Sequence, residues 1–353
     1  MKLGSLFSGA GGLDRAVTEV FGGKVAWHSE VDAAASKVLA HRFPDVPNLG
    51  DVTAIDWDTV TPVDVMCGGY PCQPFSAAGQ RKGTEDERHL WPHFAEAIRR
   101  VRPRFVVLEN VAGHRSMGFG SVLGDLAEAG YDAQWCSVRA SDVGAPHRRE
   151  RIFVLATDTS GHGWDAWRPE SVGFVGGSDA ALSGDGPVEL LPTPSAADGG
   201  GGHLTRSGNR GGELLLPGVA RAYGNGELLP TPNASDGSGG GQHPERREGH
   251  SRQLIDYILV DSTHWGRYAP AIARWEQIVG PAPSPTEPNR NGKPRLNPAF
   301  SEWMMGWPAG WVTAVPGISR NDALRIIGNG VVPQQAVAAL RWLLNVAALE
   351  VAS

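Results

Sequence analysis

Lys2-Leu3-Gly4-Ser5-Leu6-Phe7-Ser8-Gly9-Ala10-Gly11-Gly12-Leu13-Asp14-Arg15-Ala16-Val17-Thr18-Glu19-Val20 decides how the chain is read. Lys2 to Phe7 is a short apolar run ending in a glycine cluster, which predicts a strand. Leu13, Ala16, Val17 and Val20 recur at helical spacing, so a helix follows. Between them, Gly9, Gly11 and Gly12 let the chain turn tightly and bring backbone close to a ligand. Many strand–turn–helix units bind nothing, so a second signal matters. Glu30 supplies it, 18 residues after Gly12 and just past a second apolar run, Val25-Ala26-Trp27. A carboxylate there can hold ribose hydroxyls. Asp51 follows the next turn and could accept from an adenine amino group. The sequence has no Gly-Lys-Ser/Thr phosphate loop. An adenosine-bearing cofactor without a phosphate grip, S-adenosylmethionine, therefore fits better than ATP.

The same alternation continues to about Asp158. Asp32 can cap a helix reaching about Arg42. Val63 to Cys67 reads as a third strand, and Leu90, Phe94, Ile98 and Val101 share one helical face. Phe105 to Leu108 is a buried strand, and Leu123, Leu126 and Ala127 mark a further helix. Tyr131 to Val138 and Ile152 to Ala156 are two later strands. Strands alternating with helices predict an α/β fold, a mostly parallel sheet with helices on both faces. The 353 residues are 41% hydrophobic, enough for a sizeable core. The net charge of −6 argues against binding nucleic acid through bulk charge, while leaving room for a local basic cleft. Three cysteines, an odd number in a chain of this length, exclude a disulfide framework and fit a reducing, cytoplasmic setting. No signal-peptide core opens the chain, and Arg341, Asn345 and Glu350 interrupt its most apolar late stretch, so no membrane association is expected.

Beyond Asp158 the periodicity fades, and 22 of the 47 glycines fall in residues 161–250. A repeat lies here. Glu189-Leu190-Leu191-Pro192-Thr193-Pro194-Ser195-Ala196-Ala197-Asp198-Gly199 returns 38 residues later as Glu227-Leu228-Leu229-Pro230-Thr231-Pro232-Asn233-Ala234-Ser235-Asp236-Gly237. Two copies are too few for a solenoid. They are either a duplicated scaffold or a pair of loops presenting backbone N–H groups to phosphates. Later, Ala271 to Ile278 predicts a short helix, Gly280 to Pro294 a Pro-rich linker, and Phe300 to Met305 a helix. Val337, Leu340, Leu344 and Ala348 predict a long final helix over Gln335 to Val351.

Four motifs carry chemistry. The Gly-rich turn is the first. In Gly68-Gly69-Tyr70-Pro71-Cys72-Gln73-Pro74-Phe75-Ser76, Cys72 sits between prolines in a polar loop at the ligand edge of the sheet. A nucleophilic thiolate would be placed there, whereas Cys67, inside an apolar run, reads as structural. Glu109 directly follows Phe105-Val106-Val107-Leu108, so it is either a satisfied structural acid or one that shares a proton with substrate. In Pro146-His147-Arg148-Arg149-Glu150-Arg151-Ile152, alternation puts Arg149 and Arg151 on one face, where they could hold an anion or a carbonyl oxygen.

Taken in order, Phe7-Ser8-Gly9-Ala10-Gly11-Gly12, Pro71-Cys72-Gln73, Glu109-Asn110-Val111 and Arg149-Glu150-Arg151 resemble the DNA cytosine-5 methyltransferases. Arg295-Leu296-Asn297-Pro298 with Trp303-Met304-Met305-Gly306-Trp307-Pro308 is similar to the penultimate motif of that family. Gly328-Asn329-Gly330-Val331-Val332-Pro333 is similar to its closing motif. The resemblance implies a Rossmann-like methyltransferase fold with a smaller, irregular Gly-rich recognition domain. Residues 1–158 would be the catalytic and cofactor domain, 159–294 the target recognition region, and 295–353 the return to the catalytic domain. It also implies S-adenosylmethionine as cofactor, held by Phe7, Gly9, Gly11, Gly12, Glu30, Asp51, Val52, Pro71 and Asn329. Cys72 would attack C6 of a flipped-out cytosine, Glu109 would bind N3 and the exocyclic amine, Arg151 would hold O2, and Arg149 would support Glu109. Gln73, Ser76, Arg206, Arg210, Arg246 and Arg247 would contact DNA. The partners implied are double-stranded DNA and a separately encoded restriction endonuclease, with a monomeric, metal-free enzyme.

His147 stands where the family often has Gln, Val31 where many members carry an aromatic residue, and Gly330 where serine is frequent. An amino methyltransferase would show Asn/Asp-Pro-Pro-aromatic, and Asn297-Pro298-Ala299-Phe300 lacks the second proline. RNA cytosine methylation on the same catalytic set is the nearer rival. A decayed, non-enzymatic scaffold conflicts with the intact Cys72, Glu109 and Arg151. A dinucleotide oxidoreductase leaves Cys72-Gln73 unexplained.

Overall fold

The computed structural model describes residues 1–71, 90–160 and 268–351, together with Leu228, Leu229, Thr231, Pro232, Leu254 and Trp265; side chains are described as far as Ala347. Six strands form one sheet: β1 (Lys2–Leu6), β2 (Lys24–Ser29), β3 (Val65–Gly68), β4 (Phe105–Val111), β5 (Tyr131–Arg139) and β6 (Glu150–Asp158). Their order is β2-β1-β3-β4-β6-β5. The first four run parallel, as alternation with helices predicts. β6 lies antiparallel between β4 and β5. Phe105, Val106, Val107 and Leu108 are all buried, so both faces of β4 must be covered.

Helices α1 (Gly12–Phe21), α2 (Ala33–Arg42), α3 (Trp91–Val101) and α4 (Phe119–Glu128) fall where periodicity places them. Asp32 caps α2 as expected, accepting from the N–H groups of Ala34 and Ala35. Trp91, Phe94 and Ile98 of α3 join Phe119, Val122 and Leu126 of α4 against Met66, Val106 and Val154 of the sheet.

The later part adds α5 (Ala269–Val279), a hairpin of β7 (Thr286–Pro288) and β8 (Pro294–Leu296), and then α6 (Pro298–Met304), α7 (Arg320–Asn329) and α8 (Pro333–Val351). Two elements were not foreseen. The hairpin occupies the expected linker, with strands too short to show a period. The polar start of α7, Arg320-Asn321-Asp322, and its Gly328-Asn329 end mask the apolar face of Ala323, Leu324, Ile326 and Ile327. Residues 268–294 were grouped with the recognition region, yet α5 buries Ile272 and Trp275 in one core with Phe300, Met304 and Ile327. Trp275 Nε1 also donates to Trp303 O at 2.9 Å. α8 packs on α1, β5 and β6. Among the described residues, no helix is long and apolar enough to cross a membrane, and no three His, Cys, Asp or Glu side chains gather to hold a metal.

Glu302 of α6 ties this late segment to the glycine turn. Its buried carboxylate accepts from the N–H groups of Gly310, Val312 and Thr313 and from the Thr313 hydroxyl. The loop so folded aims Trp311 Nε1 at Ala10 O (2.8 Å), while Trp307 Nε1 donates to Val331 O (2.7 Å). Glu302→Ala removes one acceptor group from three backbone donors. It should lower the unfolding free energy by about 3 kcal/mol, read from urea titration.

Candidate active site

The strand order reverses direction around β1, whose neighbours are β2 and β3. In an open α/β sheet this is where a crevice forms beyond the strand ends. Here the crevice is a cavity of about 370 Å³, lined by Phe7, Gly9, Glu30, Pro71, Glu109, Arg149, Arg151 and Asn329 among others. The turn at its floor uses the left-handed region repeatedly: Phe7 at φ 53°, Gly9 at 54° and Gly11 at 80°. A side chain on Gly9 would meet no atom within 4 Å, so the backbone there stays open to the cavity. Glu30 Oε2 accepts from Gly9 N–H (2.7 Å) and Oε1 from Asp32 N–H (2.8 Å). Burial raises the Glu30 carboxyl above its ordinary range, and these N–H bonds hold the shift in check.

Glu109 projects from the end of β4, where β6 begins beside it. Arg151 Nε lies 2.9 Å from Glu109 Oε1, both side chains being largely buried. A Cβ on Gly69 would sit 3.0 Å from Glu109 Oε2, so a larger residue there would press on the carboxylate. The loop leaving β3 is fixed from the same strand, because Asn110 Nδ2 donates to Tyr70 O at 3.2 Å. His114 Nδ1 is 2.8 Å from Met117 O, which can only accept. Nδ1 therefore carries the hydrogen, and Tyr70 donates its O–H to Nε2 at 2.7 Å. These bonds hold the chain up to Pro71, on the cavity wall.

Arg149 behaves differently from Arg151. The expected roles had Arg149 supporting Glu109, but Arg151 is the residue paired with it. Arg149 has φ 26° and precedes β6, so strand alternation does not govern its side chain. A non-glycine residue in that region costs on the order of 1–3 kcal/mol and persists only when its surroundings over-determine it. Its guanidinium donates to Gly328 O (3.2 Å) and Gly330 O (2.6 Å), clamping the turn that carries Asn329. Burial pushes this guanidinium well below its ordinary pKa, Arg151 adding to the shift and Glu109 opposing it. His147 is also buried, with Nε2 3.0 Å from Met304 O. Burial, then the charge of Arg149, lowers its pKa to about 3.

Of the other residues expected at the site, Gly12 lines a second cavity of about 60 Å³ that also touches Asp14, Glu109 and Asn329. Gly11 caps α1. Asp51 is exposed, its Oδ1 taken by the N–H and hydroxyl of Thr53, which hold its carboxyl below the usual range. Val52 is buried in the core. Neither Asp51 nor Val52 lines the larger cavity. Cys72, Gln73, Ser76, Arg206, Arg210, Arg246 and Arg247 lie outside the described residues. Sequence reasoning missed Tyr70, Asn110 and His114, which brace the β3 loop, and Arg325, which lines the cavity and pairs with Asp32 at 2.8 Å. Arg325 could be found only once α7 is recognised. It also missed Thr231 and Gln335, both bonded to the Arg149 backbone.

Residues 1–164 match the C-5 cytosine-specific DNA methylase family. Type II methyltransferase M.DsaV of Dactylococcopsis salina is 34% identical over 160 residues, 44% of this chain and 45% of that protein. Type II methyltransferase M.HpaII of Haemophilus parainfluenzae is 38% identical over 159 residues, 42% and 44% of the two chains. The matched region thus spans under half the length of these curated relatives. A putative DNA modification methyltransferase encoded within an E. coli prophage superposes with TM-score 0.54 at 21% identity, over 98% of this chain and 99% of that one. The S. pombe Dnmt2 methyltransferase does so with TM-score 0.56 at 15% identity, over 98% of each. At such identities the likeness is one of fold, and it is the fold of known methyltransferases.

The buried His147 makes stability pH-dependent. Its folded pKa lies below the ordinary 6.5, so the unfolded chain binds a proton that the folded chain refuses. Stability is full above 6.5 and falls as pH drops toward 3. His147→Gln can keep the bond to Met304 O without titrating. Between pH 7 and pH 5 the parent should lose about 2 kcal/mol more than this variant, measured by urea unfolding at each pH.

Proposed function

We propose that this chain, whose residues 1–164 match the C-5 cytosine-specific DNA methylase family, transfers a methyl group from S-adenosylmethionine to C5 of cytosine in double-stranded DNA. The observation that carries this reading is the Glu109–Arg151 pair set against Gly69 and Pro71 on the wall of a cavity that also reaches Gly9 and Glu30. A carboxylate clamped on one oxygen keeps the other for a substrate nitrogen.

The cavity suits the cofactor. Its volume is in the range of small-molecule sites. The Glu30 oxygens accept from the Gly9 and Asp32 N–H groups and face the cavity, where they could also accept from a ribose hydroxyl. The glycine turn leaves open backbone where a methionine moiety would approach. Phe7, Gly9, Glu30, Pro71 and Asn329 would hold the cofactor, which, when bound, supplies an electrophilic methyl group.

The rest of the mechanism belongs to the chain. A cytosine in a duplex presents neither C5 nor C6 to a side chain, so the base must leave the stack. The Cys72 thiolate forms a bond to C6, and the ring's C5–C6 π pair shifts to C5, making that carbon the nucleophile. Glu109, oriented by Arg151, binds N3 and the exocyclic amine and offsets the charge that develops on the ring. After C5 is methylated, a solvent base takes the C5 proton, the C5–C6 double bond re-forms, and the thiolate leaves. Residues 159–267 would carry target recognition, and Gln73, Ser76, Arg206, Arg210, Arg246 and Arg247 would contact the duplex. A separately encoded restriction endonuclease is the natural counterpart of a Type II enzyme.

Expression in a host lacking DNA methylation, followed by sequencing of its genome for 5-methylcytosine, tests this directly. Modified cytosine in one sequence context is expected; methyl in tRNA with none in DNA would replace the substrate class. Cys72→Ser should abolish transfer while DNA binding in a gel-shift assay stays within a few-fold. Glu109→Gln should lower kcat by about 100- to 10,000-fold in single-turnover methylation.

A further inference from the structure

We infer that Thr231, in the second Leu-Leu-Pro-Thr-Pro copy, is a positioning residue that seats the Arg149 backbone and thereby the Arg151–Glu109 pair. The inference rests on the reaction proposed above and assigns a duty to a motif which that reaction leaves unused. Leu229 N–H donates to Pro146 O at 2.8 Å, and Leu229 pairs alongside His147 in parallel fashion. The Leu229 side chain is buried in the core that holds Ala145, Ile272 and Trp275. Two residues on, the Thr231 hydroxyl accepts from Arg149 N–H at 3.3 Å.

Arg149 needs such a partner. Its φ of 26° is unfavourable for any residue with a Cβ, so it keeps this shape only while its own groups are held. The carbonyl accepts from Gln335 Nε2 (2.8 Å) and Ala140 N (3.2 Å), and the guanidinium is held by Gly328 and Gly330. Thr231 is the partner of the N–H. A buried backbone donor without an acceptor is strongly disfavoured, so removing the hydroxyl favours rotation of the peptide into another basin. Arg151 lies two residues further along the same backbone, and a shift at 149 re-aims it. The duty falls to the second copy of the repeat, through Thr231.

The test compares Thr231→Val, Thr231→Ser and Thr193→Val in the full chain. Thr231→Val, which keeps the shape but not the acceptor, should lower kcat about tenfold with KM for DNA changed less than threefold. Thr231→Ser should restore kcat to within twofold of the parent, and Thr193→Val should leave it there. Thr231→Ala removes the same acceptor with less bulk and replaces the valine variant should that variant fail to fold. Amide hydrogen exchange of a peptide spanning residues 147–153 gives a reading that needs no turnover: it should quicken in Thr231→Val and not in Thr193→Val. Unchanged exchange and kcat in Thr231→Val, or an equal loss in Thr193→Val, overturns the inference. Absence of methylation by the parent sinks the proposed reaction instead, and the exchange experiment still decides the role of Thr231.

Discussion

A carboxylate on β4 can reach a guanidinium on β6 only because β6 runs backwards. Four strands of the sheet are parallel, and their ends all point to the crevice. Were β6 parallel to them, its start would lie at the opposite edge and Arg151 would be a strand length from Glu109. The antiparallel register sets Val111 opposite Arg151 and Glu109 opposite Phe153, so the end of one strand and the start of the other share a corner. The 2.9 Å pair is therefore a product of topology before it is one of chemistry. Both charges leave water to make it, and a pair in that position is expensive to break from one side. That asymmetry fixes the carboxylate where an acid of that kind is useful.

The floor of the crevice is held by polar groups that never reach solvent. Ser5 donates to Asp14 Oδ1 at 2.6 Å, and His28 Nε2 lies 3.1 Å from Asp14 Oδ2, all three residues being buried. They tie β1, α1 and β2 together directly beneath the glycine turn. From above, Trp311 and Trp307 reach Ala10 and Val331 from a loop organised by Glu302. The turn thus owes its shape to residues nearly 300 positions away as much as to its own glycines. A left-handed Phe7 at its start is tolerable because its N–H is bonded to Ser29 O at 2.9 Å.

Most of the first 158 residues were legible because each element announces itself twice, by period and by punctuation. Asp32 before α2 and the unbroken Phe105–Leu108 run are instances, and the corner occupied by Glu109 follows from the latter. The division of labour between the two arginines was not legible. Alternation assumes that both residues belong to the strand, and Arg149, at φ 26°, stands just outside it. No local pattern marks a positive φ at arginine. The helix α7 was hidden for a different reason: its polar first turn and glycine-flanked end imitate a loop. The repeat was seen, but its anchoring was not, since Leu229 becomes a core residue only through partners near 146 and 272.

Cys67 shows how location alone keeps a sulfur inert. Cys67 is inside β3, wholly buried, with Sγ 3.6 Å from Asp14 Oδ1. Burial, and then the neighbouring carboxylate, raises its thiol well above the ordinary value. Both effects oppose ionisation, so Cys67 has no thiolate to offer. The chain leaves the strand at Gly68, is pinned at Tyr70 by His114 and Asn110, and arrives at Pro71 on the cavity wall. Cys72 follows immediately. The reaction proposed above asks for a thiol away from the Asp14 charge and near the corner where Arg151 orients the Glu109 carboxylate. Gly69, Tyr70 and Pro71 carry the chain from the strand to the cavity wall. Their bracing by Asn110 of β4 and by His114 therefore fixes the cavity wall on which the proposed reaction depends.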